Sequence, residues 1–185
     1  MSGSLKRALG LWIVGHLDGL HVYSDDLANA RHHYPSCTII ELSHETEALG
    51  CGKKDYTVRD NESDIVVASG KMHRRETVFR LTFIAPSDKQ NNGQEIVDRL
   101  LEDIESTVLL TKLSCSSFVL RDTETSPSVE YTVDKLTIVN RQTIPPDVSG
   151  EPFIYRGTIS LHVSRIVSVE EPVDHVIKDI YLLEK

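Results

Sequence analysis

The clearest pattern in the chain is an alternation of apolar and polar residues near its C-terminal end. Between Phe153 and Val169 the apolar side chains fall mainly on odd-numbered positions, whereas polar side chains such as Arg156 and His162 fall on even-numbered positions. Successive side chains of a strand point to opposite faces, so this period of two predicts a long strand with one buried face. We expect the strand to end at residues 170–172 and a final strand to follow at residues 176–183.

Other stretches predict shorter strands. Residues 64–69 and 76–85 are interpreted as two strands joined around residues 70–75, and in the second strand Phe79 and Leu81 lie on the same face. This pattern predicts a hairpin with one buried face. Short strands are further expected at residues 37–42, 117–121, 129–133 and, shifted in register by a bulge or a short break, 136–139.

Two segments have the apolar spacing of a helix. Residues 5–17 are apolar around most of a helical wheel, which predicts a helix buried in its own core or against a neighbouring subunit. Residues 94–110 have one apolar stripe opposite acidic residues, so this helix must lie on a sheet. The stripe consists of Val97, Leu101, Ile104 and Val108, and we expect it to pack on the sheet face that carries Phe79, Leu81 and Phe83. Loops are predicted at residues 18–37 and 50–63, and around Pro145, Pro146 and Gly150.

Together these elements predict an α+β fold with a mostly antiparallel sheet, a hairpin and one or two helices packed on one face. The 185 residues fit one domain, residues 1–185. No apolar run approaches the ~18 residues that cross a bilayer, and no secretory signal pattern is present. We therefore expect no membrane association and a cytoplasmic site of synthesis.

Charge bears on the choice of partner. The chain has 28 acidic and 20 basic residues, a net charge of −8, which disfavours general binding of nucleic acid. Lys71, His73, Arg74 and Arg75 form a local exception at the expected tip of the hairpin. They are the candidate contact for an acidic partner surface. The alternative is a charged turn that protects a sheet edge from aggregation.

A search for catalytic or metal-binding residues finds no recognised arrangement. Cys37, Cys51 and Cys115 are odd in number and lack a CxxC spacing, which indicates free thiols. The adjacent His32 and His33 point in different directions on either a helix or a strand, so they do not form a chelating pair. Gly50–Lys54 departs from the phosphate-binding loop pattern at two positions. We expect no catalytic residue, cofactor or metal, and the enzyme alternative is a thiol nucleophile at Cys37 with a nearby histidine.

The order of these segments resembles that of the tail terminator proteins of long-tailed bacteriophages. The resemblance rests on the segments SLKRALGLWIVGHL, YPSCTIIEL, DIVVASGKMHRRETVFRLTFIAPS, GQEIVDRLLEDIESTV and YRGTISLHVSRIVSVEE, in that order. The TFIAP strand, followed by a short polar connection and a helix, is the most suggestive of them. Tail terminators are small subunits that form a ring at the head-proximal end of a completed tail tube.

The resemblance implies a hexameric ring, without catalysis or a cofactor, that stops the tube from growing and joins the tail to the neck. Its implied partners are the tail tube protein and a neck or head-completion protein, and DNA passes through the lumen without specific binding. The implied location is the virion, after assembly in the host cytoplasm. Residues 122–150 are an elaboration beyond small terminators. The alternatives are another head–tail connector, neck or baseplate protein and, from a different class, a small cytoplasmic enzyme.

Overall fold

A computed structural model describes residues 4–23, 33–48, 56–59, 66–87, 92–114, 117–147, 149 and 152–172. The described residues form α1 (Leu5–Val14), β1 (His21–Tyr23), β2 (Ser36–Ala48), β3 (Tyr56–Arg59), β4 (Val66–Ser87), α2 (Gly93–Ser114), β5 (Phe118–Asp122), β6 (Val129–Val133), β7 (Lys135–Asp147) and β8 (Phe153–Pro172). The predicted α+β fold with a mostly antiparallel sheet is confirmed. The strand expected at residues 176–183 lies outside the described residues.

The chain divides into two compact units. The first contains Met1–Glu45 and Glu76–Arg165, and the second contains Thr46–Arg75 and Ile166–Lys185. Within the second unit, β3 pairs antiparallel with the first residues of β4, and the register shifts between Val58 and Arg59. The second unit is therefore organised, in its described part, around a short antiparallel ladder.

The main sheet has the strand order β1-β2-β4-β8-β7, and β3 pairs with β4 beside this path. The short strand β1 is parallel to β2, whereas β7 is antiparallel to β8. A second, two-stranded sheet consists of β5 and β6 in antiparallel pairing. Thus β1 and β7 lie at the two edges of the main sheet.

The core of the first unit lies between one face of the main sheet and the two helices. Phe79, Leu81 and Phe83 of β4 are fully buried, as the period of two predicted. The helical stripe Val97, Leu101, Ile104 and Val108 of α2 belongs to the same cluster, and so do Leu9 and Ile13 of α1 and Ile159, Leu161 and Val163 of β8. Burial of one such side chain contributes about 1.5–3 kcal/mol. The predicted helix-on-sheet core is therefore confirmed.

Gly157 of β8 lies directly against α2. A Cβ atom at this position would lie 2.7 Å from both Leu101 Cδ1 and Val97 Cγ1. Carbon atoms in favourable contact are about 3.5–4.0 Å apart, so no side chain fits without movement. The glycine interrupts the apolar alternation of β8 where the helix needs the space.

The predicted hairpin around residues 70–75 is wrong. Val66–Ser87 is a single strand of 22 residues. Gly70 pairs with Tyr56 of β3, and the chain continues in the extended conformation instead of reversing. This stretch also lacks Asn-Gly and Asp-Gly, the strongest short-range signals of a hairpin turn. Lys71, His73, Arg74 and Arg75 consequently lie along β4 and not at the tip of a hairpin.

Several boundaries also differ from those expected. The three-residue β1 lies in the first predicted loop, β3 lies in the second, and β2 extends well beyond residue 42. Pro145 and Pro146 belong to β7, which they enter because proline is tolerated on an edge strand. The register shift expected before residue 136 corresponds to a passage from one sheet to the other, because β6 pairs with β5 whereas β7 pairs with β8. A register shift in β7 follows, between Ile138 and Asn140.

Candidate functional site

An extensive network of hydrogen bonds surrounds Asp122, where β5 ends beside the start of α1. Its carboxylate is fully buried and accepts from Arg7 Nε at 2.8 and 2.9 Å and from Arg7 Nη2 at 2.7 Å. The backbone N–H of Ser4 donates to Asp122 Oδ2 at 2.9 Å, and that of Glu124 donates to Oδ1 at 3.3 Å. Both oxygens of the buried carboxylate are therefore satisfied by the protein itself.

These contacts determine the protonation state of the cluster. The hydrogen bonds from Arg7 lower the pKa of Asp122 from its ordinary value of 3.8 to about 2, against the opposing effect of burial. The same hydrogen bonds raise the pKa of the Arg7 guanidinium. A carboxylate that is ionised, saturated and closed to solvent is poorly suited to accept a proton from a substrate. The Arg7–Asp122 cluster therefore serves to hold α1 on the β5–β6 sheet.

The described part of the chain shows the surroundings of the Cys37 thiol and of several histidines. Cys37 is fully buried, and burial raises the pKa of its thiol, which opposes formation of the nucleophilic thiolate. His44 Nδ1 lies 3.0 Å from Thr77 Oγ1, and His162 Nε2 lies 3.5 Å from Glu76 Oε2. Within the described residues, no group of three or more His, Cys, Asp or Glu side chains is placed to hold a metal ion. His32, Cys51, Cys115 and Gly50–Lys54 lie outside the described residues.

Arg74 differs in exposure from the neighbouring basic residues of β4 whose side chains the structure describes. Arg74 is exposed, whereas His73 and Arg75 are half-buried, and nothing is described of the Lys71 side chain. The Nε atom of Arg75 is buried without a hydrogen-bond partner in the described part of the chain. Neighbouring side chains of a strand point to opposite faces, so Arg74 and Arg75 face different surroundings. Arg74 is thus the accessible candidate for a partner contact.

Two strand stretches are exposed on both faces. Residues 41–47 of β2 are all exposed, and so are residues 139–143 of β7. Sheet strands normally bury at least one face, so stretches whose successive side chains are all exposed are poorly covered, although Arg141 of β7 contacts Glu105 of α2. The stretches include apolar side chains that face solvent, since Leu42 is 45% and Val139 is 61% exposed. Sequence patterns did not reveal this surface, because exposure on both faces depends on where the helices end.

The surface depressions of the described residues were examined as possible substrate pockets. The largest described one has a volume of about 530 Å³ and lies between the turn after α1 and the middle of α2. Its lining residues include His16, Asp18, Arg99 and Asp103, and all four are exposed. His16 Nδ1 is 2.7 Å from the carbonyl oxygen of Trp12. The depression is therefore an open polar surface and lacks the buried, convergent groups of a substrate pocket.

Comparison with known proteins does not assign this chain to a family. A scan of the sequence against protein-family models finds no match, and a search of the curated proteins finds no significant match. In the part of the chain that the structure describes, no helix is long and apolar enough to cross a membrane. The functional interpretation consequently rests on the surfaces of the subunit itself, of which the two exposed strand stretches are the most unusual.

Proposed function

We propose that this protein is a structural virion subunit that forms a ring at the head-proximal end of a bacteriophage tail tube. There it stops growth of the tube and joins the tail to the neck. The proposal begins with the resemblance of the ordered segments to tail terminator proteins. The observation that carries it is the exposure of both faces of residues 41–47 and 139–143.

Strands of this kind are poorly supported in an isolated subunit. In β7, residues 139–143 are held by the pairing with β8 and by the ion pair of Arg141 with Glu105 of α2, and Val139 is largely exposed to water. A neighbouring subunit would cover these faces and remove the apolar side chains from solvent. Assembly into a closed ring supplies such a neighbour to every subunit, which an isolated enzyme would not require.

The polar clusters also favour a structural role. The buried carboxylate of Asp122 is fully used in holding α1, and the Cys37 thiol is enclosed in the core. Neither presents a reactive atom at a cleft where a substrate could reach it. These groups contribute to a rigid subunit, which is what a ring component requires.

A ring would act through its two unlike faces. A tube built by stacking rings extends until its last ring presents a different upper surface, so the terminator must match the tube below and differ from it above. Six copies follow from the resemblance. Each would bring a net charge of −8, which disfavours adhesion of DNA as it passes through the lumen.

Two experiments test the proposal. Negative-stain electron microscopy of the concentrated protein should show rings with six-fold symmetry, whereas another symmetry would favour a different connector or neck protein. Deletion of the gene from the virus that encodes it should give tails of abnormal length that fail to join heads. Tails of normal length that still join heads would contradict the proposed function.

A further inference from the structure

The two exposed strand stretches lie at opposite edges of the main sheet. Strand β7 is one edge, because its only strand partner in the described part of the chain is β8. On the other side, β1 pairs only with Ser36–Thr38, so β2 beyond Thr38 has no strand partner on its outer side among the described residues. Such edges present unpaired backbone N–H and C=O groups that readily accept another strand.

The two edges also carry opposite charge. Residues 41–47 of β2 contain Glu41, Glu45 and Glu47 and no lysine or arginine. Residues 135–144 of β7 contain Lys135 and Arg141 and no acidic residue, although Arg141 also forms an ion pair with Glu105 of α2 at 2.7 Å. Side chains of opposite charge stabilise neighbouring strands, whereas like charges placed opposite each other destabilise them.

We infer that β7 of one subunit pairs, edge to edge, with β2 of a second copy of this chain. This inference rests on the proposed ring and names the contact that builds it. Pairing of β2 with β2 would oppose two sets of glutamates, and pairing of β7 with β7 would oppose two sets of cations. The favoured contact therefore uses a different surface on each subunit, which propagates from subunit to subunit and closes into a ring.

The ends of β7 limit where this pairing occurs. Pro145 and Pro146 have no backbone N–H, so they cannot donate a hydrogen bond to a neighbouring strand. The pairing consequently uses residues 135–144 of β7, which include the stretch exposed on both faces. Residues 39–48 of β2 provide a partner of similar length.

Paired cysteine variants test the contact. In a C51S/C115S background, which retains the buried Cys37, Ser43→Cys is combined in turn with Asn140→Cys, Gln142→Cys and Thr143→Cys; all four positions are exposed. A disulfide forms only when the two Cα atoms come within about 4.4–6.8 Å, so the set of pairs samples the unknown register. On oxidation, at least one pair should give a reducible ladder of multimers on a non-reducing gel. Variants that carry only one of the introduced cysteines are matched controls and should run as monomers on the same gel.

The outcomes separate this inference from the proposed function. Dimers from Ser43→Cys alone would show that β2 pairs with β2 and would overturn the inference. Rings seen by negative stain, with no ladder from any pair, would overturn the edge contact and leave the ring function intact. A protein that stays monomeric and gives no cross-linked multimers from any pair would overturn the edge contact. The gene deletion then tests the proposed function separately. Ladders that form open chains and no rings would support the contact and contradict the proposed ring.

Discussion

Arg7 and Asp122 are joined by three short hydrogen bonds across a sequence separation of 115 residues. The contact fixes the first turn of α1 to the last residue of β5, with Ser4 and Glu124 donating to the same carboxylate. Because the carboxylate is fully buried, loss of Arg7 would leave it without its counter-ion. The ion pair thus adds to the burial of Leu9 and Ile13 in holding α1 on the core.

The first prediction is that Asp122→Asn lowers stability in a manner that depends on pH. The folded-state pKa of Asp122 is about 2, below the ordinary value of 3.8. A lowered pKa contributes stability that is present above the unfolded value and is lost as the pH falls through the folded value. The variant should therefore be less stable than the wild type at pH 7, and the difference should narrow between about pH 4 and pH 2.

Urea unfolding across this pH range measures the effect. Asp103→Asn is the matched control, because Asp103 is an exposed carboxylate on the outer face of α2. It should follow the wild type throughout. A deficit in Asp122→Asn that stays constant down to pH 2 would contradict the assignment of the effect to ionisation.

The second prediction concerns the apolar stripe of α2. Ile104 is fully buried between the helix and the sheet, so Ile104→Ala should lower the free energy of unfolding by about 2–5 kcal/mol. Leu109 lies on the same helix and is 55% exposed, so Leu109→Ala should change it by about 0.5 kcal/mol or less. Denaturant titration followed by circular dichroism compares the two. Equal losses in both variants would exclude the packing described above.

The third prediction concerns the close approach at Gly157. Gly157→Ala should lower the free energy of unfolding by about 1–3 kcal/mol, because the new methyl group overlaps Leu101 and Val97. Combining it with Val97→Ala should cost less than the sum of the two single changes, since the second substitution makes room for the first. Strictly additive losses in this double-mutant cycle would show that the overlap does not determine the cost.

The fourth prediction is that Arg74 contributes to assembly through an acidic surface of a neighbouring subunit or tail protein. Arg74→Glu should weaken assembly at low salt without unfolding the subunit, because the side chain is exposed. Charge reversal at Arg75 is a poorer test, since this side chain is half-buried and a carboxylate there would also lower the stability of the fold.

Sedimentation velocity at low and high salt measures this effect, and circular dichroism checks the fold. The exposed Arg99 of α2 provides the control variant Arg99→Glu, which should assemble as the wild type does. Unchanged assembly of Arg74→Glu at low salt would identify the basic residues as solvated positions on a strand.

Elements with a sustained periodicity could be predicted from the sequence. The stripe of α2 and the odd-numbered positions Ile159, Leu161 and Val163 of β8 are buried as expected, whereas Phe153 at the start of β8 is 41% exposed. The predicted hairpin in β4 was wrong because Gly70 was interpreted as part of a turn, whereas it lies within a strand and pairs with Tyr56 of β3. A local sequence pattern does not distinguish the two cases, because the pairing with β3 is a tertiary contact.

The Arg7–Asp122 ion pair and the exposed strand stretches could not be predicted from the sequence. Arg7 and Asp122 are too far apart in sequence for any local pattern to connect them. The three-residue β1 is too short to show a period, and its partner β2 begins only at Ser36. The exposure of residues 139–143 of β7 depends on tertiary packing, which hydropathy alone does not define. The basic residues, by contrast, were visible in the sequence, but their setting on a strand was not.

The position of β8 between β4 and β7 has a consequence for synthesis on the ribosome. Strand β4 ends at Ser87, and β8 begins only at Phe153, after 65 intervening residues have been added. At about 5–20 residues per second, one side of β4 waits roughly 3–13 s for its partner. During this interval β4 presents an open edge to other nascent chains. Cells that produce many copies must therefore limit the encounter of unfinished chains, and fragments that stop before β8 should aggregate.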